Sequence, residues 1–230
     1  MITRREFLKA GAAAFEGEAQ EAGERIYVNI PEFVLKFKGT EYEVSVGRPN
    51  YMRDKEDRWN PETPIGRGII KDKLDRVVFS YLKGPKKGQI IKYCHNEEGV
   101  TGPMPYKDIR SLHMLINKTI DRCVIHSTTE SWNLGRPVSS GCIRMAIPDM
   151  LSLYPQVPKG TPILLDYDTI KMDESGFKLL PDIYRKGTNT VEALERKLRE
   201  TGLEGIPRER LQNALEGCLG EYVPFKDLEI

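Results

Sequence analysis

From Ile26 onward the chain runs in short segments rich in Val, Ile, Tyr and Phe, punctuated by Gly and Pro, which is the pattern of a largely β domain. Apolar, half-alternating runs at 33–38 and 41–46 flank Gly39-Thr40, and so short a connection predicts a hairpin. Further strands are predicted over 76–82, 89–93, 111–116, 122–126 and 161–166. Residues 47–68 carry Pro49, Pro61, Pro64 and several charges, too much proline for a central strand, and predict a long surface loop. One helix is expected over 148–154, where Pro148 suits a first turn and Met150, Leu151 and Leu153 supply apolar positions.

The pattern changes after about residue 171. Asn189-Thr190-Val191-Glu192 offers a helix N-cap with a Glu three residues on, Val191, Leu194 and Leu198 share one face, and Gly202 ends the run. A second helix is expected from Pro207, with Leu211, Ala214, Leu215 and Cys218 as its stripe. The expected organisation is an N-terminal segment over 1–25, a mainly β domain with one or two short helices over 26–171, and a helical C-terminal extension over 172–230.

With 230 residues, 39% of them hydrophobic and 30% charged, the chain can bury a sizeable core. A net charge of +1 provides no global basic field, so nucleic acid is not an expected partner. No apolar stretch reaches the ~18 residues of a membrane span. The four cysteines lie far apart and the three histidines form no local ligand cluster, so neither a metal nor another cofactor is expected.

At the N-terminus, Thr3-Arg4-Arg5-Glu6-Phe7-Leu8-Lys9 resembles a twin-arginine export signal. The apolar stretch that follows, residues 10–15, is shorter than the roughly 7–15 residues of an export core and runs into acidic sequence. A shortened signal and an amphipathic N-terminal helix are both compatible with it.

The chemistry centres on Cys142. An ordinary thiol is only a few per cent ionised at neutral pH, so a nucleophilic cysteine needs a base. His126 ends a predicted strand 16 residues upstream, and the intervening loop is long enough to fold back. Gly141-Cys142 gives a tight turn at which backbone N–H groups can face a developing oxyanion. A buried, inert thiol and a structural histidine fit the same spacing. Cys94, Cys123 and Cys218 lie in strand-like or helical runs and read as buried thiols, and His113 reads as a core or lining residue.

The segments Val124-Ile125-His126-Ser127-Thr128, Trp132, Leu134-Gly135-Arg136, Val138-Ser139-Ser140-Gly141-Cys142-Ile143-Arg144-Met145 and Val157-Pro158-Lys159-Gly160-Thr161-Pro162 resemble the catalytic core of the L,D-transpeptidase family. Upstream, Val44-Ser45-Val46-Gly47-Arg48-Pro49 and Thr63-Pro64-Ile65-Gly66 are similar to its early strand and Thr-Pro-x-Gly turn, and Arg110 stands where many members carry Arg. The resemblance covers about residues 40–167. It implies a mostly β, sandwich-like catalytic domain with Cys142 as acylated nucleophile, His126 as proton acceptor and the Ser127 carbonyl orienting the ring. Gly141 supplies the turn, and Ser140 stands where most members have a second histidine. Arg144 and Arg136 would meet substrate carboxylates, with a bracing ion pair as the alternative for Arg144; Trp132 would line the donor groove or anchor a loop.

The implied substrate is the peptidoglycan stem peptide, cut between the third-position diamino acid and the terminal D-alanine. An amine acceptor, from a second stem or a wall-attached lipoprotein, would resolve the thioester in the periplasm or elsewhere in the envelope. Water as acceptor would make the site an L,D-carboxypeptidase. A wall-binding module without turnover is the other class of reading.

Overall fold

The computed structural model describes residues 25–53, 60–78, 80, 84–96, 99–120, 122–217 and 220–228. The export-like motif and Cys218 lie outside these residues, and the side chains of Cys94 and His95 are likewise not described. The chain divides into two compact units at Asp166/Tyr167.

The first unit contains β1 (Ile26–Asn29), β2 (Val34–Phe37), β3 (Thr40–Gly47), β4 (Gly66–Asp75), β5 (Tyr93–Asn96), β6 (Gly99–Pro103), β7 (Arg110–Ile116), β8 (Val124–Thr128), β9 (Pro137–Ser139), β10 (Ile143–Ala146), α1 (Ile147–Leu153) and β11 (Pro162–Asp166). It is mainly β, as the sequence predicts. The main sheet has the order β10-β8-β7-β4-β11-β1-β2-β3-β9, and β10 also pairs with β3. Eight strands therefore close into a hydrogen-bonded ring, and β9 attaches to β3. Ring closure leaves its members without an unpaired edge.

Alternation along the strands explains where the core sits. In β8, Ile125 and Ser127 are buried while Val124 and His126 are half-buried; in β10, Ile143 and Met145 are buried while Arg144 and Ala146 are half-buried. Successive side chains on a strand point to opposite faces, so one face of this pair builds core and the other carries His126 and Arg144. Leu112, Met114, Ile116, Ile125, Ile143 and Met145 are all fully buried. Each contributes about 1.5–3 kcal/mol relative to exposure.

Several sequence expectations shift by a turn or a strand. The hairpin between β2 and β3 forms, but Phe37 pairs with Thr40, so the loop is Lys38-Gly39, both at positive φ (48° and 76°) as a primed turn requires. The strand predicted over 76–82 is not seen among its described residues, which show only an isolated bridge from Ser80 to Ile90. The preceding residues instead form β4, whose only buried side chain is Ile70; its polar, glycine-bearing sequence masked a strand held by pairing to β7 and β11. The loop before β4 is not wholly at the surface, because Pro61 and Thr63 are buried. Helix α1 forms with Pro148 in its first turn.

The second unit contains β12 (Ile170–Met172), β13 (Gly176–Leu179), α2 (Val191–Glu200), α3 (Arg208–Gly217) and β14 (Tyr222–Pro224). Both expected helices are present, but the segment is not simply helical: β12, β13 and β14 form an antiparallel sheet. Phe177 and Leu179 from that sheet pack with Val191, Leu194, Leu198, Leu211 and Ala214 in one apolar cluster. The sheet escaped the sequence reading because its strands are three or four residues long. Thr190, rather than Asn189, caps α2 by accepting from the Ala193 N–H at 3.2 Å, while Asn189 donates to the Leu180 carbonyl at 2.9 Å. Among the described residues no helix is long and apolar enough to cross a membrane.

Candidate active site

Strands β8 and β10 run parallel, with Ile143 opposite Ile125 and Arg144 opposite His126. Cys142 immediately precedes β10, two residues from Arg144 and on the same alternation. The pairing therefore brings the backbone of Cys142 to the start of β8, two positions along the chain from the residue that pairs with His126.

The imidazole is oriented by the chain itself. Its Nδ1 lies 2.8 Å from the Ser127 carbonyl. A carbonyl only accepts, so Nδ1 carries the proton and Nε2 bears the basic lone pair. The Ser127 hydroxyl faces the other way, accepting the Arg110 N–H at 3.1 Å and tying β8 to β7. Burial pulls the His126 pKa down to about 4, against the Ser127 carbonyl, which favours the charged ring, while the Arg144 cation lowers it further. Burial also raises the Cys142 thiol above its ordinary value, opposed by the Val124 N–H and by Arg144. Both shifts favour the neutral forms at neutral pH, a thiol on Cys142 and an uncharged imidazole on His126.

The turn that carries Cys142 is clamped on several sides. Ser139 Oγ accepts the Gly141 N–H at 3.1 Å and donates to the Cys142 carbonyl. Gly141 has φ +113°, a backbone region that side chains rarely adopt. Its carbonyl accepts twice, from Thr63 Oγ1 at 3.1 Å and from Cys123 Sγ at 2.9 Å. Thr63 Oγ1 also accepts the Gly47 N–H at 2.8 Å. A Cβ on Gly47 would stand 2.1 Å from the Pro61 carbonyl oxygen, so glycine there lets the Thr63 segment approach. Thr63 and Cys123 are themselves buried.

The remaining sequence candidates fall around this turn. Ser140 is half-buried, and its Oγ accepts from Arg48 Nη1 at 3.0 Å. Arg144 Nη1 donates to Glu130 Oε2 at 2.9 Å, the bracing alternative read for it, and Glu130 also accepts from Asn133 Nδ2 at 3.3 Å. Arg136 is exposed, with its carbonyl accepting the Val46 N–H at 3.3 Å. Trp132 is half-buried in the short turn Ser131–Asn133. His113 binds Ser111 Oγ at 3.1 Å.

Thr63, Ser139, Glu130 and Arg48 carry the geometry of the site without having been singled out as site residues in the sequence. Thr63, Ser139 and Arg48 lie inside the quoted motifs, which was the available signal. Nothing marked Glu130 as the partner of Arg144.

The family model for YkuD, the L,D-transpeptidase catalytic domain, matches residues 23–165. No protein of curated function matches. Among solved structures, an L,D-transpeptidase from Mycobacterium smegmatis is 18% identical with a TM-score of 0.40, covering 61% of this chain and 57% of its own. The catalytic domain of the Enterococcus faecium L,D-transpeptidase is 21% identical with a TM-score of 0.37, covering 63% of this chain and 98% of its own. One from Xylanimonas cellulosilytica is 17% identical with a TM-score of 0.42, covering 63% of this chain and 61% of its own. The match thus spans about six tenths of the first and third of these structures, and the assignment rests on the family model, which covers more than half of the chain. The chain belongs to the L,D-transpeptidase catalytic domain family.

Proposed function

We propose that the chain is a peptidoglycan L,D-transpeptidase working through a cysteine acyl-enzyme, with residues 26–171 as its catalytic domain. The observation that supports this reading is the parallel β8–β10 ladder, which pairs Arg144 with His126 and begins at the residue after Cys142. The acyl donor is a stem tetrapeptide. As Cys142 Sγ bonds to the carbonyl carbon of the diamino acid, its proton passes to His126 Nε2, and the C–N bond to D-alanine then breaks as that proton moves to the leaving amine. An acceptor amine attacks the thioester, gives up a proton through His126, and returns the thiol.

A neutral imidazole suits both proton transfers, because it can take a proton at neutral pH and readily give it back. Arg144, held by Glu130, contributes positive charge to the thiol and the imidazole from a fixed position. Arg136 and Trp132 are the side chains we assign to the donor peptide, and Ser140 with Arg48 occupies the place of the second histidine. The substrate requires a location outside the cytoplasm. The acceptor is an amine on a second stem or a wall-attached lipoprotein.

Incubation with disaccharide tetrapeptides, followed by mass spectrometry, tests the reaction. Cross-linked dimers and free D-alanine are expected from the wild type and neither from Cys142→Ala. Trimmed monomers without dimers would assign the hydrolytic reaction to the same acyl-enzyme. A folded protein that gives neither product nor a carbapenem adduct on Cys142 would leave a wall-binding module.

A further inference from the structure

The Gly141 carbonyl takes hydrogen bonds from two buried side chains that belong to distant parts of the chain, Thr63 and Cys123. A peptide unit is planar and trans, so its C=O and N–H point in opposite directions. Anchoring the Gly141 oxygen on the buried side of the turn therefore fixes the direction of the next N–H, that of Cys142, away from that side. The neighbouring amide is unsuited to the same task, because the Gly141 N–H is already given to Ser139 Oγ at 3.1 Å. The carbonyl of Cys142 is also committed, to the Ser139 hydroxyl.

We infer that Thr63 and Cys123 are positioning residues that aim the Cys142 N–H at the oxyanion formed when Cys142 is acylated. This deepens the proposed function and rests on it. Neither side chain touches the substrate. Their effect is to remove the reorganisation that a freely pivoting peptide would undergo as negative charge develops, the kind of preorganisation on which oxyanion stabilisation depends. The buried thiol is suited to this part. Burial, with a smaller push from nearby Cys142, holds the Cys123 pKa well above its ordinary value, so it stays protonated and remains a donor. Thr63 has a second task, accepting the Gly47 N–H, which locks its hydroxyl proton toward Gly141.

The test compares two reactions of the same sulfur in the full chain. Acylation by a carbapenem or by p-nitrophenyl acetate passes through an oxyanion, whereas alkylation of Cys142 by iodoacetamide does not. Both rates are followed at Cys142 by peptide mass spectrometry. Thr63→Val removes the stronger donor and is expected to slow acylation by about a hundredfold, the scale of losing one oxyanion donor. Cys123→Ala removes the weaker one, and a loss of roughly threefold to tenfold is expected, as for one modest hydrogen bond. Alkylation should change by less than about twofold in either variant, a small fraction of the effect of an oxyanion donor.

Thr63→Val also strips the Gly47 amide of its acceptor. Should that variant not fold, Cys123→Ala carries the test, with Cys123→Ser and Thr63→Ser as donor-preserving variants expected to retain the wild-type acylation rate. Acylation unchanged in folded Cys123→Ala, or acylation and alkylation falling in parallel, would overturn the inference. Wild-type protein acylated by p-nitrophenyl acetate but never by a carbapenem or a stem peptide would overturn the transpeptidase reading, while the acetate rates would still decide the positioning role. Inertness to every acyl donor would overturn both.

Discussion

Arg144 stands opposite His126 in the parallel ladder of β8 and β10, and its guanidinium is held by Glu130 at 2.9 Å. One cation thus acts on both titrating groups of the site, lowering the imidazole and opposing the burial that raises the thiol.

Replacing that cation should move the pH dependence of acylation. In Arg144→Gln the imidazole loses a group that disfavours its charged form, so its pKa rises from about 4 toward the ordinary value. The acidic limb of the kcat/KM profile is expected to shift to higher pH. The Cys142 thiol moves up as well, so alkylation at pH 7 should slow. A profile measured from pH 4 to 9 checks both, and an acidic limb that stays in place would show that Arg144 does not act through His126.

The buried imidazole also makes stability depend on pH. Its folded pKa lies below the unfolded value near 6.5, so the unfolded chain binds the extra proton first as pH falls. Stability contributed by the neutral ring is complete above about pH 6.5 and is lost progressively down to about pH 4, by on the order of 1–3 kcal/mol. Urea titrations at several pH values should show this slope in the wild type and a flatter one in His126→Gln.

Gly141→Ala tests the backbone of the nucleophile turn. The nearest atom to an added Cβ is the Glu62 carbonyl oxygen at 3.5 Å, an ordinary contact, so space is not the obstacle. The strain comes from φ +113°, and the expected cost is about 1–3 kcal/mol. Acylation should fall by more than the stability loss explains, because relaxing the strain rotates the peptide next to Cys142.

In the C-terminal unit, Leu194 is fully buried among Phe177, Val191 and Leu211. Leu194→Ala is expected to cost about 2–5 kcal/mol. Thr190→Ala, which removes the cap of α2, should cost about 1 kcal/mol. Denaturant unfolding of each variant measures both, and equal costs would contradict the packing described for α2.

How much of this the sequence revealed depended on the range of the interaction. His126, Gly141 and Cys142 lie close together in one motif, and the turn they need is encoded by adjacent residues. The partners that shape that turn are remote. Thr63 and Gly141 are separated by 78 positions, so their hydrogen bond leaves no local pattern to read. Strand β10 has only four residues and β9 three, too short for alternation to declare them. Strand β4 was hidden for another reason. It buries Ile70 alone, so its apolar signal is weak, and its pairing with β7 and β11 supplies what its own sequence does not. Strand β8 reads well in contrast, because motif and alternating burial coincide there.

The double pairing of β10 bears on how a peptide is recognised. Its backbone is engaged by β8 on one side and β3 on the other. Among the described residues β10 therefore offers no open edge, and strand addition to β10 itself is closed. Recognition next to Cys142 then falls to side chains and turn amides.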